Sequence, residues 1–308
     1  MYINKKDLEN ELNKYKRGDL SRRSFIASLS ALGLTAATAG SLATLYGGKA
    51  FAKSSTEAEA PGSRKEYDYI IVGAGSAGSS LAYRLATETD AEILLLEGGG
   101  SDNIPEIHDP AAWGQALGTE ATKWFTTTEQ ANTAGRTHDW PRGDVIGGTS
   151  SINAMIYARG HKNDFESWAY DGCVGWDFES VLKHYKELEH FEGGESAFRS
   201  QGGPLNVSQP QPNLRNPGGQ LFFDACEGLG YEQNVDFNSE RMEGPAWVNF
   251  TIKDERREST AVAFLKPAME RSNLSVLTDA PVKKLVLEGN RCVGVEYLHD
   301  GKPVTVRT

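Results

Sequence analysis

Cysteine, histidine and positive charge are all scarce in this sequence of 308 residues. There are three cysteines, Cys173, Cys226 and Cys292, and this odd number argues against a disulfide framework. Their spacing is also unlike that of metal ligands. The six histidines are scattered, with no pair at i+3 or i+4, so no metal site is predicted. Cys292 lies in the apolar run RCVGVEYL, which predicts a buried structural thiol.

The shortage of positive charge restricts the partners. A net charge of −10 disfavours nucleic acid and anionic membrane surfaces. Hydrophobic residues at 39% and charged residues at 24% are ordinary for a soluble globular protein. The length favours about two domains, and the sequence carries no repeat of the kind that builds a solenoid.

The first 52 residues have the pattern of an export signal rather than of a folded domain. A basic region ends in SRRSFI, a weakly apolar run follows over residues 25–45, and Ala50-Phe51-Ala52 is a small-residue cleavage site. The paired Arg22 and Arg23 resemble a twin-arginine signal, which implies export of a folded protein to the periplasm or beyond. The alternative is a retained membrane anchor, which the Gly, Ser and Thr content disfavours. Residues 53–64 are a linker by composition.

A glycine fingerprint begins the predicted folded part. Residues 69–72 are a short apolar run typical of a buried parallel strand. Gly73, Gly75 and Gly78 then form G-x-G-x-x-G, in which they serve the tight turn, the approach of a pyrophosphate and close helix–strand packing. A helix over 76–87 follows, with Leu81, Ala82, Leu85 and Ala86 on one face.

The next strand is predicted over 92–97 and ends in Glu97, 19 residues after Gly78, where a carboxylate can bind a ribose hydroxyl. This pattern predicts an α/β, Rossmann-like fold that binds a dinucleotide. It leaves open whether the dinucleotide is NAD or FAD.

A second glycine cluster helps to decide between NAD and FAD. The stretch WPRGDVIGGTSSINAMIYARGHKNDFESWA contains Gly147-Gly148-Thr149-Ser150, a bend of small residues with many exposed amides. This stretch resembles the first signature of the glucose–methanol–choline (GMC) oxidoreductases, which are FAD-dependent flavoproteins that oxidise alcohols. Three further blocks keep the family's order: HYKELEHFEGGE, QGGPLNVSQP and the long run from Arg256. The resemblance, of the choline-dehydrogenase-like type, extends over nearly all of residues 65–308.

The resemblance implies a set of cofactor-binding residues. Gly73, Gly75, Ser76, Ala77 and Gly78 would hold the FAD pyrophosphate, and Glu97 the adenosine ribose. The middle of the cofactor would be wrapped by Val145 and by Gly147, Gly148, Thr149 and Ser150. Asn153, Ala154 and Met155 would lie along the isoalloxazine ring, and Val282 would meet adenine through its backbone.

Two positions depart from the family pattern. Asp144 stands where the family usually has Lys or Arg, which removes a positive charge near the cofactor loop. Ile152 stands where some members carry a histidine bonded to flavin, so non-covalent FAD is expected.

The remaining segments complete the predicted architecture. Strands are predicted over 281–287, 291–298 and 303–307, a three-stranded meander similar to the FAD domain of this superfamily. Helices are predicted over 178–191 and 219–229 in a partial α+β substrate domain. Trp247 and Phe250 there could line a pocket, although core packing is favoured. The predicted substrate-domain portion, 166–255, separates two parts of the FAD domain, 65–165 and 256–308.

The family's catalytic histidine lies in a C-terminal segment that has no counterpart in this sequence, so no catalytic residue is predicted. His161, in RGHKNDFESW, is interpreted as an ordinary loop histidine.

Three hypotheses about function follow from the sequence. The chain is the N-terminal portion of an exported alcohol dehydrogenase or oxidase, a non-catalytic FAD-binding subunit or half enzyme, or an NAD-dependent dehydrogenase. The sequence indicates neither which alcohol is oxidised nor which electron acceptor is used.

Overall fold

The structure, a computed structural model, describes residues 66–308 together with Glu11, Lys14, Phe25, Ser28, Leu29 and Arg64. The chain divides into two units, Met1–Ala60 and Pro61–Thr308, and the numbered elements belong to the second. Arg22 and Arg23 of the predicted signal lie outside the described residues. No helix among the residues described is both long and apolar enough to cross a membrane.

The helices and strands of residues 66–308 are as follows. The α-helices are α1 (Ser76–Glu88), α2 (Pro105–His108), α3 (Trp113–Ala116), α4 (Lys162–Tyr170), α5 (Phe178–Leu188), α6 (Pro217–Gly228) and α7 (Lys266–Ala268), the last preceded by a π-helix over Ala261–Leu265. The strands are β1 (Tyr69–Val72), β2 (Ile93–Leu96), β3 (Thr122–Thr126), β4 (Asp139–Gly143), β5 (Ile156–Tyr157), β6 (Glu189–Phe191), β7 (Leu205–Val207), β8 (Asn249–Phe250), β9 (Ile252–Lys253), β10 (Arg256–Arg257), β11 (Leu274–Leu277), β12 (Val282–Glu288), β13 (Arg291–His299) and β14 (Lys302–Arg307).

A three-stranded parallel sheet in the order β1-β2-β11 forms the centre of the second unit. All four residues of β2 are buried, because successive side chains of a strand point to opposite faces and both faces are covered. Ile93 and Leu95 pack with α1, the π-helix and α7. Leu94 and Leu96 pack against the antiparallel meander β12-β13-β14. The predicted α/β fold and the meander are confirmed.

Two details of the prediction are wrong, one in β1 and one in α1. Tyr69 is 49% exposed and Val72 54%, because β2 is the only strand with which β1 pairs among the described residues. Leu81, predicted to share the buried face of α1, is 50% exposed, whereas Ala82 and Ala86 are fully buried. The apolar run at 69–72 indicates a parallel strand but not its place in the sheet.

The substrate-side segment, residues 166–255, combines short helices with two-stranded ladders. The helix predicted over 178–191 ends at Leu188, because Glu189–Phe191 pairs in parallel with Leu205–Val207 as β6 and β7. Trp247 packs on α6, with its ring centroid 5.1 Å from that of Phe223. This contact agrees with core packing as the favoured interpretation of Trp247.

The thiol of Cys292 is exposed, so the prediction of a buried cysteine is wrong. Val293, Val295 and Tyr297 of β13 point to the buried face, and Cys292 lies on the opposite one.

We expect Cys173 and Cys292 to react rapidly with a thiol reagent in the native protein, and the half-buried Cys226 more slowly. Mass spectrometry of peptides after brief labelling checks this order, which a faster reaction at Cys226 would contradict.

Candidate functional site

The three fingerprint glycines serve three different purposes in the turn after β1. Gly73 has a φ of +92°, which favours glycine. A Cβ on Gly78 would lie 1.9 Å from the Gly73 carbonyl oxygen, so the helix and the turn touch at this position. Gly75 has neither constraint, since a Cβ there would find its nearest atom, the Cα of Gly148, at 3.9 Å. The geometry agrees with the turn role predicted for Gly73 and the packing role predicted for Gly78, and a side chain on Gly75 would make only an ordinary contact with Gly148.

The N-terminus of α1 is left without a side-chain cap. Gly75 is the N-cap residue, no side chain accepts a hydrogen bond there, and the first turn holds no acidic residue. The first amides of a helix have no partner within the helix and carry partial positive charge. The predicted residues Ser76 and Ala77 are exposed at this end. Their amides are therefore suited to a phosphate group.

Glu97 connects two turns at the carboxyl end of the sheet. Its carboxylate is 6% exposed, and its two oxygens accept hydrogen bonds from the amides of Ala74, at 2.6 Å, and Gly99, at 2.8 Å. Each carboxylate oxygen can accept more than one hydrogen bond. Glu97 thus fixes the fingerprint turn and keeps acceptor capacity for a hydroxyl donor.

The second glycine cluster lies directly against the fingerprint turn. The Gly147 amide donates to the Ala74 carbonyl at 2.7 Å, and the Gly148 amide donates to Val145 O at 2.8 Å. The prediction of many exposed amides in this bend is therefore wrong for these two residues. Gly148 has a φ of +53°, and a Cβ on it would lie 2.7 Å from the Gly75 Cα. The chain continues into a short 3₁₀-helix, Gly148–Ser151, which contains the predicted Thr149 and Ser150.

The segment after this 3₁₀-helix carries backbone strain at one residue. Met155 has a φ of +61°, rare for a side-chain-bearing residue, and its amide donates to Asn153 Oδ1 at 3.0 Å. Asn153 is exposed and Ala154 half-buried. Ile152 is 1% exposed and packs in an apolar cluster with Ile107, Ala116, Ala121 and Val145, so its side chain belongs to the interior.

Arg257 supports this segment from the protein interior and is the residue that sequence reasoning missed. It is 1% exposed, and its guanidinium donates to Ile107 O at 2.6 Å and to Asn153 O at 2.7 Å. Burial lowers the pKa of Arg257 to about 10, so it is charged at neutral pH. The available signal is a pair of arginines, Arg256 and Arg257, at the end of the charged run KDERRE that directly precedes Ser259-Thr260 and an apolar stretch. Thr260 donates its amide to Ser150 Oγ at 3.0 Å.

The remaining predicted residues lie around Glu97. The Ala280 amide donates to Glu97 O at 2.8 Å, and Val282 begins β12 two residues later. Asp144 Oδ1 lies near Gly98, 3.7 Å from the position of a Cβ there, so its carboxylate adds negative charge at this end of the site. The structure therefore brings the fingerprint turn, Glu97 and the Gly147–Gly148 segment together at the carboxyl ends of β1 and β2, where α/β sheets bind ligands.

His161 lies elsewhere and has a structural role. Its Nδ1 accepts a hydrogen bond from the Asn163 amide at 3.1 Å, and the His161 amide donates to Asp164 Oδ2 at 3.0 Å, which caps α4. The interpretation of His161 as an ordinary loop histidine is confirmed.

Glu258, beside Arg257, should make stability depend on pH. Burial raises the pKa of Glu258 above its ordinary 4.5, against the opposing effect of Lys253 and with the support of Asp254. A raised folded-state pKa contributes stability below the unfolded-state value, and this stability is lost as pH rises through the folded-state value. We expect Glu258→Gln to unfold at a higher temperature than the parent near neutral pH. The difference should disappear below about pH 4.3, the unfolded-state value. Thermal unfolding across this range checks it, and a pH-independent difference would contradict it.

Comparison with known proteins identifies what this arrangement is similar to. A family model described as GMC oxidoreductase matches residues 67–308. Mitochondrial choline dehydrogenase of Homo sapiens is 39% identical over 264 residues, which cover 83% of this chain and 43% of the relative. Oxygen-dependent choline dehydrogenase of Vibrio vulnificus is 40% identical over 235 residues, covering 76% and 42%. The crystal structure of pyridoxine 4-oxidase from Mesorbium loti superposes with a TM-score of 0.74 at 37% identity, over 78% of this chain and 47% of that one. The chain thus spans less than half the length of these relatives.

Proposed function

The chain belongs to the GMC oxidoreductase family, and on that basis we propose that it is the FAD-binding portion of an exported flavoprotein that oxidises a primary or secondary alcohol. The observation that carries this proposal is the contact between the two glycine segments. A Cβ on Gly148 would lie 2.7 Å from the Gly75 Cα, so the Gly148 segment has no room for a side chain at this contact, whereas a Cβ on Gly75 would meet no atom closer than 3.9 Å. Such a surface suits the close approach of a dinucleotide to the backbone.

The residues of the site fit FAD in three further respects. The uncapped start of α1 offers amides to a pyrophosphate. Glu97 keeps acceptor capacity for the adenosine ribose. The Ala280 amide donates to the Glu97 carbonyl two residues before Val282, which supports a role of the Val282 backbone in contacting adenine. Arg257 holds the segment that would line the isoalloxazine ring. Bound FAD would supply the hydride acceptor for alcohol oxidation.

We further propose that the FAD is held without a covalent bond. Ile152 has no atom that could bond to flavin, and its side chain is buried in an apolar cluster. Denaturation with acid should therefore release all of the flavin into the supernatant, and flavin that remains with the precipitated protein would contradict this.

The substrate we propose is a small alcohol, in keeping with the choline dehydrogenases among the relatives. The family's catalytic histidine comes from a C-terminal segment, so oxidation requires that segment in addition to the FAD-binding residues of this chain. A non-catalytic FAD-binding subunit, or half of a split enzyme, is the alternative. The paired Arg22 and Arg23 support export by the twin-arginine route.

The test is the visible absorbance spectrum of the 308-residue chain, purified with FAD and then desalted. Retained flavin at about one molecule per chain is expected. A soluble, folded chain that retains no flavin would overturn the proposal, and binding of NAD instead would favour an NAD-dependent dehydrogenase. Export is tested separately by replacing Arg22 and Arg23 with lysine, which should keep the protein in the cytoplasm.

A further inference from the structure

Arg257 is a buried cation without an anionic partner among the described residues. Two other buried arginines, Arg159 and Arg199, both pair with Glu189, at 2.7 and 3.2 Å. Arg257 is 1% exposed, yet no carboxylate of residues 66–308 pairs with it. Buried charges are normally paired or coordinate an ion, because desolvation of a lone charge is costly.

Instead of pairing with a carboxylate, the Arg257 guanidinium donates most of its hydrogen bonds to oxygen atoms of the loop over residues 150–153. Nη1 donates to Ser150 O at 3.2 Å, to Asn153 O at 2.7 Å and to Asn153 Oδ1 at 2.9 Å. Nε donates to Ile107 O at 2.6 Å, and Nη2 has no hydrogen-bond partner within the described part of the chain. The charge is therefore held by neutral oxygen atoms, three of them in the loop that the family resemblance assigns to flavin and one, Ile107 O, outside it.

These contacts determine which way the Asn153 amide faces. Arginine can only donate hydrogen bonds, and the Met155 amide donates to the same oxygen at 3.0 Å. Oδ1 must therefore face inward, and the side-chain NH₂ becomes the outer group of an exposed residue. No residue that the structure describes accepts a hydrogen bond from that NH₂ group.

We propose that Arg257 is a positioning residue that orients Asn153 so that its NH₂ group donates to an acceptor atom of the isoalloxazine ring, and that places a positive charge behind that ring. The inference rests on the proposed function, since it requires bound FAD. The isoalloxazine ring carries carbonyl oxygens and ring nitrogens that can accept such a bond. A positive charge at Arg257 would stabilise the negative charge that a bound flavin would carry after two-electron, one-proton reduction.

The first experiment compares Arg257→Met and Arg257→Lys with the matched control Arg256→Met in the full chain. Arg256 is the adjacent residue, carries the same charge and is exposed. FAD is titrated into each protein, and the midpoint potential of the bound flavin is measured. We expect Arg257→Met to raise the FAD dissociation constant about tenfold or more and to lower the potential by about 30 mV, a tenfold change for a two-electron couple. Arg257→Lys should retain most of the potential, and Arg256→Met should match the parent.

The second experiment tests whether Arg257 acts through Asn153. Asn153→Asp keeps an oxygen for Arg257 and removes the NH₂ donor, so it should weaken FAD binding without lowering the unfolding temperature of the FAD-free chain. In an Asn153→Ala background, Arg257→Lys should weaken FAD binding less than it does in the parent, because residues that share one interaction are not additive. The Asn153 variants keep the test decisive if Arg257→Met fails to fold.

Two kinds of failure are distinguishable. A parent chain that binds no FAD overturns the proposed function and this inference with it. A parent that binds FAD, with Asn153→Asp binding equally well, overturns the inference alone. Equal effects of Arg257→Lys in the parent and in the Asn153→Ala background would also overturn it, because Arg257 would then act independently of Asn153.

Discussion

A Gly75→Ala variant should fold as stably as the parent chain and bind FAD about 10- to 100-fold more weakly. The added methyl group meets no atom closer than 3.9 Å in the protein, and Gly75 has an ordinary φ of −71°. The cost to folding is that of an N-cap replacement, at most about 1 kcal/mol. The same methyl group would occupy the face that a pyrophosphate must approach, and overpacking of about 1–3 kcal/mol corresponds to this loss of affinity.

Gly78→Ala is the matched comparison and should behave in the opposite way. Alanine is the better helix former by about 1 kcal/mol. Its Cβ would nevertheless lie 1.9 Å from the Gly73 carbonyl oxygen, a backbone atom that no side-chain rotation can move. We expect a loss of about 3 kcal/mol or more in unfolding free energy.

Urea unfolding of the FAD-free proteins and FAD titration of the folded ones together separate the two glycines. Unchanged FAD affinity in Gly75→Ala would mean that no phosphate lies against this turn. Unchanged stability in Gly78→Ala would mean that the turn can move away from α1.

Glu189→Gln should be the most destabilising single change in the substrate-side segment. Glu189 is fully buried, and its Oε1 lies 2.7 Å from Arg159 Nη2 and 3.2 Å from Arg199 Nε. The Ser200 amide donates to the same oxygen at 2.9 Å. Glutamine would leave two buried guanidinium groups with only Asp236, 3.3 Å from Arg199, as an anion among the described residues. Removing one partner of such a network costs about 3–5 kcal/mol.

Glu187→Gln is the control for that experiment. Glu187 lies two residues earlier, is partly exposed, and pairs with Arg84 at 3.5 Å and His184 at 3.1 Å. Exposed ion pairs contribute little, so its unfolding free energy should stay within about 0.5 kcal/mol of the parent's. Chemical denaturation of the three proteins measures the contrast. A loss below about 1 kcal/mol in Glu189→Gln would show that the arginines find other partners or water.

The parts of the fold that the sequence predicted are those determined by local patterns. The fingerprint glycines, the apolar run of β2 and the turns between β12, β13 and β14 each carry their information within a few residues. The alternation within β13 also places Cys292 on the outer face, and it is a better guide to burial than the apolar composition of that run. The error at Cys292 was therefore avoidable.

Other features depend on contacts that no local pattern contains. Glu189–Phe191 leaves the helical pattern because β7 pairs with it, and Val72 is exposed because β1 lies at an edge. Arg257 belongs to the site through bonds to a loop 104 residues away in sequence. Arg256 and Arg257 stand in the charged run KDERRE, a pattern typical of an exposed segment, so the sequence does not indicate that one of them is buried. The identity of the partners of Arg257 follows from the fold.

The separation of Arg257 from Asn153 has a consequence for the order of events during synthesis. The Ala74–Glu97 bond joins residues 23 apart and can form early, but the loop at Asn153 gains its support only after Arg257 has left the ribosome. Contacts between distant parts of a chain form slowly, because the intervening segment must first be closed into a loop. Nascent chains arrested before Arg257 should therefore capture no flavin, and on the proposed function FAD would join a polypeptide whose synthesis has already passed this residue.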